Sequence, residues 1–328
     1  MIITRAPFRI SFAGGGSDLP SYYRRHGGCV LSTSINRYVY IEIHPFFDEK
    51  RIQLKYSQTE NVTALDEIRH PIFRESLRQF GLSGVELTST ADIPSGTGMG
   101  SSSAFTVALL QALHAHSCRH RSKGDIAAEA CDMEINRVKS PIGKQDQYAS
   151  AFGGLNLFRF NPDETVTVEP VAINKQMRDR LSARLHLYYT HEVRDANALL
   201  AAQQTEVSSS ETKTQSVQRM TRIAELMRIA LVDNQLGDFG DLLHEGWLLK
   251  RSLTHSISNG DIDQLYEAGR SAGARGGKLL GAGGGGFLLF YVDEDKREQF
   301  IHQMASLARL KRTNFELEQG GVQVIHYE

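Results

Sequence analysis

Eleven consecutive residues, Pro94-Ser95-Gly96-Thr97-Gly98-Met99-Gly100-Ser101-Ser102-Ser103-Ala104, set three glycines at alternate positions ahead of three serines. The chemistry open to such a run is anion binding. Successive backbone N–H groups converge on an anion, and a helix opening at the serines adds about half a positive charge. Glycine lets that backbone come close. Serine hydroxyls suit phosphate oxygens or Mg2+ and also cap a helix. A serine-capped helix after a turn has the same local sequence, so the loop alone leaves both readings open. No Lys precedes the serines, which excludes the Walker pattern, and Gly96-x-Gly98-x-Gly100 lacks the dinucleotide spacing.

Two carboxylates follow, Glu134 and Asp146. Phosphoryl transfer needs a divalent cation, charge neutralisation and an oriented acceptor hydroxyl. One carboxylate to hold the metal and one to take the hydroxyl proton would meet that need. Asp146 stands in Gly143-Lys144-Gln145-Asp146-Gln147-Tyr148, next to a cation that favours a carboxylate's ionised form. Two further matches are coincidental. Gly281-Ala282-Gly283-Gly284-Gly285-Gly286 satisfies G-x-G-x-x-G but runs into an apolar strand pattern, where the dinucleotide fingerprint must open a helix. Asp238-Phe239-Gly240 spells a protein-kinase motif without its upstream partners.

The elements that must position these groups can be read from pattern. Residues 2–12, 30–43, 53–56, 85–89, 155–160, 185–189, 287–292 and 322–327 are strand-like; 71–80, 101–116, 123–138, 147–152 and 295–310 are helical. The spacing predicts three or four more helices between 195 and 274. Glu134 is thus expected on a helix and Asp146 in the loop after it. Strands and helices mix without steady alternation, which predicts an α+β fold. Two prolines and several acidic residues in 161–174 mark a lobe boundary, giving lobes 1–172 and 173–328. The stretch 211–234 stays open as core, lid or dimer contact, so a homodimer is one admissible arrangement.

Bulk composition excludes several classes. Net charge is -1 over 328 residues, which argues against general nucleic-acid or membrane-surface binding. Three cysteines without metal-type spacing read as reduced thiols. The N-terminus enters a strand pattern with no signal-peptide core, and the apolar run 287–292 is too short to cross a bilayer. The expectation is a cytoplasmic enzyme with a small-molecule substrate.

Three ordered segments together resemble the GHMP kinases, the galactokinase, homoserine, mevalonate and phosphomevalonate kinase superfamily. They are Ala6-Pro7-Phe8-Arg9-Ile10-Ser11-Phe12-Ala13-Gly14, the loop 94–104, and Lys278-Leu279-Leu280-Gly281-Ala282-Gly283-Gly284-Gly285-Gly286-Phe287. The resemblance spans essentially the whole chain. It implies a two-lobed fold, with a ribosomal-protein-S5-like N-terminal lobe, a ferredoxin-like α+β C-terminal lobe and the active site between them. It implies ATP and Mg2+ as cofactors. Pro94, Gly96, Thr97, Gly98, Met99, Gly100, Ser101, Ser102 and Ser103 would bind the nucleotide, and Ser102 and Glu134 the Mg2+. Asp146 matches the catalytic base, Arg9 the cation that keeps that base ionised, with Lys144 expected to assist. Gly15, Gly16, Ser17 and Asp18 would meet the acceptor, joined by Gly283 and Gly284 from the third segment.

The acceptor implied is not galactose. Where galactokinases carry Gly-Glu-His, this chain has Gly14-Gly15-Gly16, which removes hydrogen bonds to a hexose and leaves room for a larger or phosphorylated sugar. Phe8 to Pro20 and Arg137 to Gln147 resemble the bacterial D-glycero-D-manno-heptose 7-phosphate kinases, with the kinase half of fucokinase more distant. A substrate phosphate calls for cations, and Arg24, Arg25, Lys139, Lys144 and Arg194 are candidates. The competing readings are a kinase of an unphosphorylated sugar and a non-catalytic sugar and ATP sensor. Retention of both Glu134 and Asp146 argues against the sensor.

Overall fold

Residues 2–13 form one long strand, β1 (Ile2–Ala13), and a short helix after the glycine turn, α1 (Pro20–His26), leads into β2 (Gly28–Pro45). The computed structural model describes residues 1–192, 196–307 and 309–328. There follow β3 (Ile52–Lys55), β4 (Thr59–Val62), α2 (Pro71–Phe80) and β5 (Val85–Ala91). The phosphate-type loop leads into α3 (Ser101–His116); α4 (Lys123–Cys131) continues as a π-helical turn, Asp132–Arg137, before α5 (Gln145–Phe152). Strands β6 (Leu155–Phe160) and β7 (Val166–Pro170) complete the first half.

The second half contains α6 (Lys175–Arg184), β8 (Leu185–Tyr189), α7 (Ala196–Ser209), α8 (Glu211–Val232), α9 (Leu236–Arg251) and α10 (Gly260–Ser271). It closes with β9 (Ala274–Leu279), β10 (Phe287–Val292), α11 (Arg297–Ala305), β11 (Lys311–Thr313), β12 (Leu317–Glu318) and β13 (Gln323–Tyr327).

Among the described residues these strands form two sheets. The first has nine strands in the order β13-β1-β2-β5-β3-β4, with β12 and β6 also paired to β2, and β7 to β6. All its pairings are antiparallel except β3 with β5. The second has four strands, β11-β8-β10-β9. Strand β10 lies inside that sheet and is buried at every position, which is why its sequence is a continuous apolar run rather than an alternating one.

The lobe division 1–172/173–328 needs one correction. The last two strands leave the C-terminal half and join the N-terminal sheet, β13 along β1 (Ile2 opposite Tyr327) and β12 along β2. Helix α8 also resolves the open question at 211–234. Its Val217, Met220, Ile223, Ala224 and Met227 are buried, and the helix packs on β2 and β1, so it is core. No helix of the described residues is long and apolar enough to cross a membrane.

One buried group in the second sheet sets a pH dependence. His186 on β8 is 3% exposed, packs on Phe300 at 5.5 Å between ring centroids, and is pushed down to about 4 by burial and then by the charges of Arg312 and Arg297. As pH falls below about 6.5 the unfolded chain takes up a proton that the folded chain refuses, so stability is lost down to about 4. The loss from this residue amounts to at most about 3 kcal/mol. His186→Phe should flatten the fall in urea midpoint between pH 7 and pH 4.5. An unchanged slope would assign the acid sensitivity to other groups.

Candidate active site

The loop between β5 and α3 lies at the junction of the two sheets' lobes. Gly98 is left-handed (φ +81°), and a β-carbon there would sit 2.5 Å from the carbonyl oxygen of Leu280. A β-carbon on Gly281 would in turn sit 2.3 Å from the Gly98 Cα. The second and third segments therefore touch backbone to backbone, which only glycine permits. Gly100 rather than a serine is the N-cap residue of α3, and no side chain caps the helix. Its first-turn N–H groups are left for an anion. The three serines lie inside the helix, so their hydroxyls serve something other than capping.

The Ser102 hydroxyl donates to Glu134 Oε1 at 2.7 Å, and Gln147 Nε2 donates to Glu134 Oε2 at 2.7 Å. Glu134 sits in the π-helical turn that follows α4, 1% exposed, and burial pushes its carboxyl up to about 6. Among the described residues no three His, Cys, Asp or Glu side chains cluster as a self-sufficient metal cage. One carboxylate and one hydroxyl fit Mg2+, which keeps waters and takes phosphate oxygens from its substrate rather than a full protein shell.

Asp146 is the second residue of α5, which begins two residues earlier than the sequence pattern placed it, so Asp146 stands on the helix rather than in the loop before it. Arg9 on β1 grips it with both edges: Nε to Oδ1 at 2.7 Å and Nη2 to Oδ2 at 2.8 Å. The third arm, Nη1, donates to the Gly98 carbonyl at 2.8 Å. Arg9 is buried, so this forked pair is largely shielded from water. One guanidinium thus ties the candidate base to the phosphate-type loop.

Beside this pair, Asp18 accepts from the Gly16 N–H (3.0 Å) and from the Gln145 backbone (3.2 Å) and side chain (3.2 Å). Burial, and then the charge of Asp146, raise its carboxyl above the usual range. Gly15, Gly16 and Asp18 line a cleft of about 810 Å³ that the loop residues Pro94, Gly96, Gly98, Gly100 and Ser101–Ser103 also line. A β-carbon on Gly16 would come within 2.5 Å of Gln203 Nε2 on α7. The far end of the same cleft is walled by Tyr56, His70, Ile72, Ile93 and Phe105.

Several expected residues lie elsewhere. Ser17 is fully buried and its hydroxyl bonds the Gly14 and Cys29 carbonyls, so it shapes the turn. Thr97 and Met99 are buried behind the loop, Thr97 donating to the Pro94 carbonyl. Gly283 and Gly284 pack on Ile257, and Lys278, Gly281 and Ala282 are the third-segment residues that line the cleft. Lys144 bonds Glu164 (2.6 Å) and lies over the Tyr23 ring, not on Asp146, because the chain turns into α5 between them. Arg24 joins the same Glu164. Arg25 and Lys139 are exposed outside the cleft, and Arg194 lies outside the described residues.

Sequence reasoning also missed residues. Lys250 on α9, Lys278 on β9 and Gln203 on α7 are buried cleft-lining groups. Lys278 opens the third segment and so was within reach of the pattern; Lys250 and Gln203 sit in ordinary amphipathic helices and carry no local signal.

Comparison with known proteins bears on this geometry directly. The model of the GHMP kinases N terminal domain matches residues 68–154, and that of the GHMP kinases C terminal domain matches residues 227–309, together just over half the chain. A D-glycero-alpha-D-manno-heptose 7-phosphate kinase from Campylobacter jejuni is 28% identical, covering 92% of each chain. The Arabidopsis thaliana bifunctional fucokinase/GDP-fucose pyrophosphorylase is 25% identical over 90% of this chain and 30% of its own. The crystal structure of a D-glycero-D-manno-heptose 1-phosphate kinase from Bacteroides thetaiotaomicron superposes with a TM-score of 0.82 at 23% identity, covering all of both chains. GHMP kinases use ATP. The chain belongs to the GHMP kinases and is a phosphotransferase that takes an alcohol group as its acceptor.

Proposed function

We propose that this kinase transfers the γ-phosphoryl group of ATP to the anomeric hydroxyl of D-glycero-D-manno-heptose 7-phosphate. The product would be heptose 1,7-bisphosphate, made in the cytoplasm for nucleotide-activated heptose and surface polysaccharide. The observation that carries the chemistry is the Arg9–Asp146 pair bonded to the Gly98 carbonyl, between the phosphate-type loop and the Asp18 pocket. Asp146 takes the hydroxyl proton, and Arg9 fixes both of its oxygens so that it faces the acceptor in one orientation. The first-turn N–H groups of α3 hold the nucleotide phosphates. Mg2+, held by Ser102 and Glu134, would supply charge neutralisation at the β- and γ-phosphates.

The heptose assignment is supported by the relative at 28% identity across 92% of the chain and by the small residues at 14–16. One observation favours a neutral sugar instead: Arg24 and Lys144, two of the cations expected to meet a substrate phosphate, are already committed to Glu164. Coupled ADP release measured with heptose 7-phosphate, heptose 1-phosphate, fucose and galactose separates the readings. Heptose 7-phosphate should give the highest kcat/KM, with phosphorus NMR showing a new anomeric phosphate. Turnover with neutral sugars alone would sink the phosphosugar assignment.

A further inference from the structure

Two lysines from the C-terminal lobe reach the cleft, and they differ in what they have left to donate. Lys278 on β9 gives hydrogen bonds to the carbonyls of Ser11 (2.8 Å) and Phe12 (3.1 Å), pinning β9 to β1. Among the described residues Lys250, in the last turn of α9, makes one hydrogen bond, to the Gly281 carbonyl. An ammonium has three N–H donors, so Lys250 keeps two. It is 6% exposed, and a buried cation is costly without an anionic partner.

Among the described residues the charged groups around it are Arg9 on β1, Asp18 on the loop after it, Asp146 on α5 and Lys278. Among the described residues neither carboxylate is hydrogen-bonded to it, although the charges of both favour its ammonium form: Asp146 is gripped by Arg9, and Asp18 is held by Gly16 and Gln145. Its one acceptor, Gly281, rests against Gly98 of the phosphate-type loop. The ammonium is therefore placed at the loop end of the cleft, beside the base, with two donors unused among the described residues. A phosphoryl group arriving there is the anion this arrangement lacks.

We propose that Lys250 is a catalytic cation that binds the γ-phosphoryl oxygens during transfer. It rests on the phosphoryl-transfer reading above. In the step, the acceptor oxygen bonds to the γ-phosphorus as the bond from that phosphorus to the β,γ-bridging oxygen breaks. The hydroxyl proton goes to Asp146, and ADP leaves with the electron pair. Lys250 stays protonated and donates to oxygens whose charge is redistributed, the setting in which fixed donors accelerate most. Before nucleotide arrives, burial and then the charge of Arg9 push Lys250 down to about 8. An incoming phosphate should raise it again, so binding near pH 8.5 takes up a proton.

The test combines kinetics with calorimetry. Lys250→Met should lower kcat ten- to a hundredfold while KM for the acceptor stays within about threefold. Lys250→Arg should recover part of the loss. Titration of wild-type protein with a non-hydrolysable ATP analogue at pH 8.5, in buffers of different ionisation enthalpy, should show proton uptake that Lys250→Arg abolishes. Three results would overturn the proposal. They are near-wild-type kcat in Lys250→Met, a rise in acceptor KM with kcat unchanged, and absence of proton uptake in the wild type. The last holds even where the Met variant does not fold. Proton uptake in a chain that phosphorylates no sugar would remove the proposed function and leave Lys250 as a nucleotide contact.

Discussion

Asp146→Asn should lower kcat by two to four orders of magnitude while the affinity for nucleotide changes by no more than about threefold. The separation follows from geometry. Asn has the size of Asp and keeps one oxygen for the Arg9 fork, so α5 and the loop stay in place. What it loses is the capacity to accept a proton from the acceptor hydroxyl. In the proposed mechanism the nucleotide phosphates are held by α3 and the glycine backbone, which do not involve the Asp146 side chain. Steady-state turnover with calorimetric nucleotide binding would check both halves. Wild-type turnover in the variant would remove Asp146 from the mechanism.

Gly98→Ala carries the largest expected structural effect, about 2–5 kcal/mol of stability together with at least a tenfold loss in kcat/KM for ATP. Left-handed backbone costs a residue with a β-carbon roughly 1–2 kcal/mol. A β-carbon 2.5 Å from the Leu280 carbonyl adds overpacking of about 1–3 kcal/mol. Both contact partners are backbone, so no side chain can rotate away, and relief requires the two lobes to part at the phosphate-type loop. Gly81→Ala is the control. Gly81 ends α2 in the same left-handed region (φ +63°), but a β-carbon there meets nothing within 4 Å. Its urea midpoint should report strain alone, with ATP kinetics unchanged. If Gly98→Ala were as mild as Gly81→Ala, the lobe contact would not govern the site.

Helix α3 shows how much local pattern carries. Its bounds, 101 and 116, agree with the apolar spacing, and Phe105, Leu109, Leu110 and Leu113 face the core. The strands at 155–160, 185–189 and 287–292 are equally faithful, because their own side chains decide their burial. Helix α4 was harder. The apolar pattern runs unbroken from 123 to 138, yet the backbone switches to a π-helical turn at Asp132–Arg137, which carries Glu134. Bulges of that kind recur at functional sites and depend on surroundings that spacing cannot report. The elements missed outright are short, polar or glycine-rich: α1 behind Pro20, β4, β7, α6, β9, β11 and β12.

Taken alone, the sequence determined which groups could act: a glycine and serine loop, Arg9, Glu134, Asp146 and a second glycine run, in an order that resembles the GHMP kinases. Residue type and short-range spacing suffice for that, because anion binding and proton transfer each need particular atoms. Tertiary structure decided which of them meet. It put Arg9 rather than Lys144 on Asp146, since β1 runs under the phosphate-type loop while Lys144 turns out toward Glu164. It sent β12 and β13 back to the first sheet. It also buried Lys250 in the cleft beside the contact of Gly281 with Gly98, which nothing in the pattern of its amphipathic helix signals. Contacts between segments that lie hundreds of residues apart depend on chain topology and register, and no local pattern encodes them.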